Sequence, residues 1–449
     1  AIGKIVSHKD TNLTNMKSIF IALFLFVPLF IKAQIKSGPM LGYSEMKEVF
    51  IWVQTEKPAD VSIQYWEKGD KTIHKTDPIH TEKASAYIAR IIADEVSMGK
   101  KYEYQVFVNG KKVAIDYPLE FQTQELWQWR KDPPAFSFIF GTCNYVNEEA
   151  TDRPGRGYGG ADEVYAAMYA KKPDFMLWGG DNFYYREPDY TRTGMIHRND
   201  HARAVKSMQP LLGSVHQYAI WDDHDYGPND ADRSFPLKYT SLEMFKLYWG
   251  NPNYIFPNEG ITGKFQWADV EFFLMDDRWN KAPNELNDPN KDYWGKKQMT
   301  WLLDQLSTSK ASFKVIVNGG QVISPAKVFE NMANYESERT YLLKELKNRK
   351  IPGVLFLTGD RHISNLNKLE REGSYPLYDL TVSPMTAGKA DAVKQDYNET
   401  LVAGTLVQER AFSKIEVSGT LKDRTITFTL FNVKGDVIWS KAIKSSELK

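Results

Sequence analysis

Five apolar stretches of this sequence each run into residues that can bind a metal or move a proton. Residues 136–140 lead into Gly141-Thr142-Cys143-Asn144, and 174–178 lead into Gly179-Gly180-Asp181-Asn182-Phe183-Tyr184. Residues 218–221 lead into Asp222-Asp223-His224-Asp225, 313–317 into Asn318-Gly319-Gly320-Gln321, and 354–357 into Thr358-Gly359-Asp360-Arg361-His362. Taken singly, most of these are ordinary. Gly-Asp after a strand is commonly a turn, a lone cysteine is usually a small buried hydrophobe, and Asn318 and Gln321 are polar residues of the kind strand ends often carry. Asp222-Asp223-His224-Asp225 is harder to dismiss, because three adjacent carboxylates after an apolar strand repel one another unless a cation sits among them. Asp360 and His362 are two apart and repeat the pattern. Jointly the five predict a metal site.

The donors divide by softness. Cys143, Tyr184 and His362 suit iron or zinc, whereas Asp222, Asp223, Asn318 and Asp360 offer oxygen, which suits calcium, magnesium or manganese. Asp181 can bridge the two sets. Two cations about 3.5–4 Å apart are the usual device for in-line displacement at phosphorus. One lowers the pKa of a bound water so that hydroxide is available near neutral pH, and both neutralise charge on the phosphoryl oxygens. His224, beside Asp223, is the candidate general acid for the leaving oxygen. The expected activity is therefore hydrolysis of small phosphate esters by metal-bound hydroxide. A calcium-dependent phospholipase or other phosphodiesterase would use the same site. A non-enzymatic glycan-binding surface protein is the alternative of a different class, but it has no need of Asp-Asp-His-Asp.

These residues need a scaffold that presents strand ends together. From residue 135 onward, strand patterns at 136–140, 174–178, 218–221, 270–275, 313–317 and 354–357 alternate with helix patterns at 162–170, 199–208, 241–249, 296–306 and 337–346. The chain then returns to strands at 378–382, 413–417, 425–431 and 437–440. Such alternation predicts an α/β domain over 135–449, and ligands bind in such folds outside the carboxyl ends of the strands. Residues 36–125 instead alternate in the strand manner, with turns at Lys57-Pro58, Lys68-Gly69-Asp70, Met98-Gly99 and Asn109-Gly110. They predict a small immunoglobulin- or fibronectin-like β-sandwich over 34–128, joined through a linker ending Asp132-Pro133-Pro134.

Composition narrows the function classes. Lys plus Arg and Asp plus Glu both number 57, so no basic excess points to a nucleic-acid partner. Aromatic residues make up 13%, enough for a large core and incompatible with global disorder. Residues 17–33 carry a 13-residue apolar run from Ile19 to Ile31 behind Lys17. A spanning helix needs about 20 residues, so the run fits a cleavable signal h-region, with cleavage after Ala33. Residues 1–15 then form an upstream extension before Met16. No twin arginine precedes the run, so Sec-type export to the periplasm or outside the cell is expected, with no membrane anchor after cleavage. Cys143 is the single cysteine. In an oxidising compartment it has no disulfide partner within the chain, which again suggests a metal ligand or an inert buried thiol.

At Gly180-Asp181, Asp223-His224-Asp225 and Asp360-Arg361-His362, in that order, the sequence resembles the metallophosphoesterases. Within them it resembles the PhoD-like (alkaline phosphatase D) family. That branch carries Gly-Thr-Cys, here 141–143, in place of Asp-x-His. It carries Gly-Asp-x-x-Tyr ending here at Tyr184, Asp-Asp-His-Asp in place of the Asn-His pair, and an aspartate, here Asp360, for the first histidine of the final pair. Leu274-Met275-Asp276-Asp277-Arg278 and the helix bearing Gln298, Trp301 and Leu302 are similar too, so the likeness covers about residues 36–440. The resemblance implies a four-layer αββα sandwich and a ferric iron plus calcium centre, with zinc, manganese or magnesium as alternatives. It implies that Cys143, Asp181, Tyr184 and His362 hold iron and that Asp181, Asp223 and Asp360 hold calcium, with Asp222 and Asn318 as further ligands. Arg278 and Arg361 are candidates for gripping phosphate oxygens.

Overall fold

The computed structural model describes residues 35–155 and 157–449. The expected signal segment and the extension before it lie outside the described residues. The described residues cluster as one compact unit.

Two sheets face each other at the centre. The first has nine strands in the order Val437–Lys444, Thr425–Asn432, Ala411–Ser418, Phe136–Gly141, Phe175–Gly179, His216–Ile220, Ile35–Ser44, Val49–Thr55 and Ile88–Ala93. The second has six, in the order Gly263–Trp267, Val270–Leu274, Phe313–Val317, Val354–Thr358, Ser374–Thr381 and Asn365–Arg371. Strand alternation decides which side chain meets which layer. Phe272 turns inward and meets Phe138 edge-on at 5.2 Å, while its neighbour Phe273 turns outward onto Trp301 of the helix Lys296–Thr308. In the first sheet Tyr218 stacks inward on Phe265 at 3.8 Å, while Gln217 points outward and donates to the Leu211 carbonyl in the helix Gln209–Ser214. Aromatic side chains thus fill the space between the sheets, and helices lie on the outer face of each.

Four strands of the first sheet run parallel (Phe136–Gly141, Phe175–Gly179, His216–Ile220, Ile35–Ser44), as do four of the second (Val270–Leu274, Phe313–Val317, Val354–Thr358, Ser374–Thr381). The central strands are covered on both faces, which explains why Phe175–Gly179 and Val354–Thr358 are almost wholly apolar. The expected helix at 199–208 is displaced: the helix runs Arg192–Arg203, where the Thr191 hydroxyl caps it by accepting from the Gly194 N–H. The preceding Tyr-rich stretch carries no apolar period to mark that start.

Residues 35–128 do not stand apart from the rest, contrary to the expectation of a domain joined only through a linker. The strand Ile35–Ser44 pairs in parallel with His216–Ile220, Leu41 opposite His216, and so extends the nine-stranded sheet. On the strand Val49–Thr55, Val49, Ile51 and Val53 face a local core against Val61, Ile63 and Tyr104, while Phe50 and Trp52 join the main core. The Trp52 indole N–H donates to the Leu247 carbonyl. His216 seals the junction: its Nδ1 lies 2.9 Å from the Gly42 carbonyl, and its Nε2 accepts from the Gln122 N–H. Among the described residues, no helix is long and apolar enough to cross a membrane.

Candidate metal centre

The parallel strands of the two sheets end side by side, and short backbone links tie the ends together. The Cys143 N–H bonds to the Gly180 carbonyl, Asn144 N–H to the Asp181 carbonyl, and Gly359 N–H to the Gly319 carbonyl. The approach between sheets requires glycine. A Cβ on Gly319 would lie 2.4 Å from the Asp222 carboxyl carbon, and one on Gly359 would lie 2.4 Å from the Thr142 side chain. Cys143, Asp181, Asp360 and His362 all sit at positive φ, between 52° and 63°. Left-handed backbone at four non-glycine residues costs about 1–3 kcal/mol each. It turns each side chain off its strand and toward the common centre.

Three groups of donor atoms result, the atoms within each lying within 4.8 Å of one another: Cys143, Asp181 and His362; Asp181, Asp223 and His224; Asp222, Asp223 and Asp360. Asp181 and Asp223 each belong to two of these groups. The Tyr184 hydroxyl lies 3.1 Å from His362 Nε2. His362 Nδ1 must donate, because its nearest partner is the Gly388 carbonyl, and this leaves Nε2 as the nitrogen with a free lone pair. His224 is partly accessible, with its side chain 22% exposed. Its ring lies 4.1 Å from that of Tyr184, and its Nε2 is 3.9 Å from Asp223 Oδ2.

Burial of so many acids perturbs them strongly. Burial, reinforced by Asp223 and Cys143, holds the Asp181 carboxyl well above the carboxylate range. Burial, with Asp277 and Asp181 adding to it against Arg278, does the same to Asp222. Asp360 is pushed up to about 7 by burial and by Glu330 and Asp223. Burial also pushes the Cys143 thiol up to about 11, against hydrogen bonds from Ser383 and Thr142. At Asp223 burial is outweighed by His224 and Arg278, and its pKa falls. A cation among these groups would reverse each upward shift, because it favours the charged form.

The donor set fits such cations. Asp222 Oδ2, Asp223 Oδ1 and Asp360 Oδ2 are buried with no hydrogen-bond partner. Three orphaned carboxylate oxygens, in one group of donors, are what a hard cation needs. On the other side of Asp181 the donors are a thiol, a phenol and an imidazole, the softer mixture that iron or zinc takes.

Three residues expected at the site have other work. The Asn318 side-chain oxygen accepts from the Trp294 indole at 2.8 Å, and its NH2 group donates to Tyr293 and to the Gly320 carbonyl. It braces the loop rather than offering a free donor. Arg278 is wholly buried and pairs with Asp222, with Glu330 at 2.7 Å and with Asp277 at 3.5 Å. Arg361 forms a two-pronged pair with Asp396 at 2.8 and 3.1 Å. Neither guanidinium is free to grip phosphate, and each is held by a buried carboxylate rather than by a surface ion pair. Asp225, the third acid of its run, accepts from the Asp222 and Asn182 backbone N–H groups and holds the turn in shape.

Sequence reasoning missed Ser383, whose hydroxyl donates to Cys143 Sγ at 3.1 Å and accepts from the His362 N–H. It follows the strand Ser374–Thr381, so the strand-end rule applied a sixth time would have found it. Asp230 and Glu330 form a fourth donor group with Asp223. They lie in loops with no periodic signal.

The family model for PhoD-like phosphatase matches residues 252–422, which contain the whole second sheet with Asp360 and His362. Over that segment the chain resembles the PhoD-like family. Residues 32–126 match a further model, a domain of unknown function (DUF7800). Alkaline phosphatase D of Bacillus subtilis (strain 168) is 25% identical over 332 residues, covering 62% of this chain and 54% of that protein. The chain therefore spans about half the length of the curated relative it matches. A structure of PhoD superposes with a TM-score of 0.76 at 16% identity, covering 94% of this chain and 93% of that one. The purple acid phosphatase PPD1 from yellow lupin (Lupinus luteus) seeds superposes with a TM-score of 0.67 at 11% identity, covering 91% and 74%. At these identities the structural likeness establishes a shared α/β fold. The first-sheet donors Cys143, Asp181 and Asp223 lie before the family-matched segment.

Proposed function

We propose that this chain is an exported metal-dependent phosphoric ester hydrolase acting on phosphate mono- or diesters. The observation that carries the reading is the gathering of three unpartnered buried carboxylate oxygens beside a thiol–phenol–imidazole set, with Asp181 between them. In this reading Cys143, Asp181, Tyr184 and His362 hold a ferric ion, and Asp181, Asp222, Asp223 and Asp360 hold calcium. Bound cations supply positive charge for the phosphoryl oxygens and make water acidic enough to attack at neutral pH. The protein's own groups do the rest. Ser383 and Thr142 orient the Cys143 sulfur, Gly388 fixes the His362 tautomer, and Arg278 offsets the excess acid charge around Asp222. His224, partly exposed at the mouth and close to Asp223, carries the proton given to the leaving oxygen. The helices on both outer faces support a four-layer αββα arrangement, and residues 35–128 support a sandwich fused to it. The apolar run before Ala33 supports Sec-type export.

The test is metal analysis of the purified chain together with a panel of phosphate monoesters, diesters and phospholipids. We expect about one iron and one calcium per chain and phosphate-ester hydrolysis abolished by chelation. Protein that binds no stoichiometric metal and cleaves no ester would refute the reading.

A further inference from the structure

Beside the metal centre lies a cleft of about 340 Å³ with His224 and Tyr184 in its wall. That volume is within the range of small-molecule sites, about 300–1,000 Å³. Its walls are unusual in kind. Tyr145, Tyr158 and Tyr184 contact one another, with ring centroids 5.0, 5.1 and 6.2 Å apart, and Tyr184 continues onto His224. Tyr158 is 45% exposed although its hydroxyl lies 3.1 Å from His362 Nδ1. None of the residues lining the cleft is aliphatic; the remainder are polar or charged. Arg186 in the wall is already paired with Asp152. Arg153 is exposed, and among the described residues no hydrogen bond or ion pair engages its guanidinium.

We infer that this cleft is the leaving-group subsite, built for a planar aromatic ring attached through the ester oxygen. The inference rests on the phosphoesterase reading above. Tyrosine faces stack on flat rings, and the polar groups between them suit a ring with polar edges, as in a nucleobase or a substituted aryl group. An acyl chain needs aliphatic walls, which the cleft lacks, so a phospholipid is the wrong occupant. With Arg186, Arg278 and Arg361 held by carboxylates, Arg153 is, among the described residues of the cleft wall, the guanidinium left to draw an anionic ester toward His224.

The experiment compares benzyl phosphate with n-butyl phosphate on the metal-loaded full chain, since the two alkoxides leave with similar ease. We expect kcat/KM to favour the benzyl ester about tenfold. Tyr158→Leu should bring that ratio to near one. Tyr158→Phe, which keeps the ring and loses the hydroxyl facing His362, should preserve it. Arg153→Gln should raise KM by about fivefold for both esters and leave the ratio alone. Adenosine 5′-monophosphate against ribose 5-phosphate separates the two ring sources: a preference for the nucleotide identifies a nucleobase site, and a preference confined to the benzyl ester an aryl site. A benzyl-to-butyl ratio near one in the unaltered protein, or an unchanged ratio in Tyr158→Leu, overturns the inference. Failure to cleave any ester instead refutes the phosphoesterase reading. The subsite is then judged by calorimetry, where equal affinities for benzylphosphonate and butylphosphonate overturn it.

Discussion

The two halves of the donor cluster are built on opposite principles. On the soft side every donor has a hydrogen-bonding neighbour: Cys143 has Ser383, Tyr184 has His362, and His362 has the Gly388 carbonyl. On the hard side Asp222, Asp223 and Asp360 each keep an oxygen with no partner, and the balancing charge comes from Arg278 behind them. Neutral donors such as a thiol, phenol and imidazole can satisfy one another through protons. Carboxylates cannot, so the hard side depends on positive charge from a residue or a cation. The soft side should therefore hold its geometry under most conditions, while the hard side should be sensitive to whatever supplies that charge.

The largest effect expected is on stability at Arg278. Arg278→Met leaves Asp222 and Asp277 buried without their counter-charge and should cost about 3–5 kcal/mol in urea denaturation. The loss should be greatest in chelator, where no cation substitutes for the guanidinium. An unchanged urea midpoint would remove Arg278 as the charge that sustains the hard side. Next is Asp181→Asn, which touches both sides at once. It should lower kcat by about 10³-fold and reduce binding of both metals. Loss of one metal with full retention of the other would show that Asp181 does not join the halves.

A third prediction calibrates the comparison from outside the cluster. Burial lowers the His216 pKa to about 4, so the ring is neutral in the folded chain at neutral pH. The unfolded chain binds the proton first, near pH 6.5. The penalty is therefore absent above that pH, grows as the pH falls, and is complete near pH 4, at about 3 kcal/mol. His216→Asn should flatten stability against pH in that window; a slope identical to that of the parent would show that His216 does not carry it. The smallest effects are the most diagnostic. Cys143→Ala should lose iron and keep calcium, with the fold intact and activity down by about 10²-fold. Asp360→Asn should do the reverse. Parallel loss of both metals in both variants would erase the distinction between the two sides.

Much of this arrangement was legible in the sequence, because it is local. Apolar runs ending in donors at 141–143, 180–184, 222–225 and 359–362, all but the third beginning with glycine, state where strands stop and what they deliver. The roles of Arg278, Arg361 and Asn318 were not legible, since their partners Glu330, Asp396 and Trp294 lie 52, 35 and 24 residues away along the chain. Nothing in the spacing of an arginine says whether a carboxylate of the protein or of a substrate will meet it. The junction was hidden for a related reason. Residues 49–53 alternate as a strand would in either sheet, and only tertiary pairing shows that they extend the sheet that carries Asp222 and Asp223.

That shared sheet bears on how the molecule can be dissected. A chain shortened to begin near residue 135 would strip the strand Ile35–Ser44 from His216–Ile220 and leave the latter as a raw edge of unpaired backbone groups. Such edges recruit strands from other molecules. The exposed strand would be the one that runs directly into Asp222 and Asp223, so aggregation of a trimmed protein would begin next to its own metal ligands.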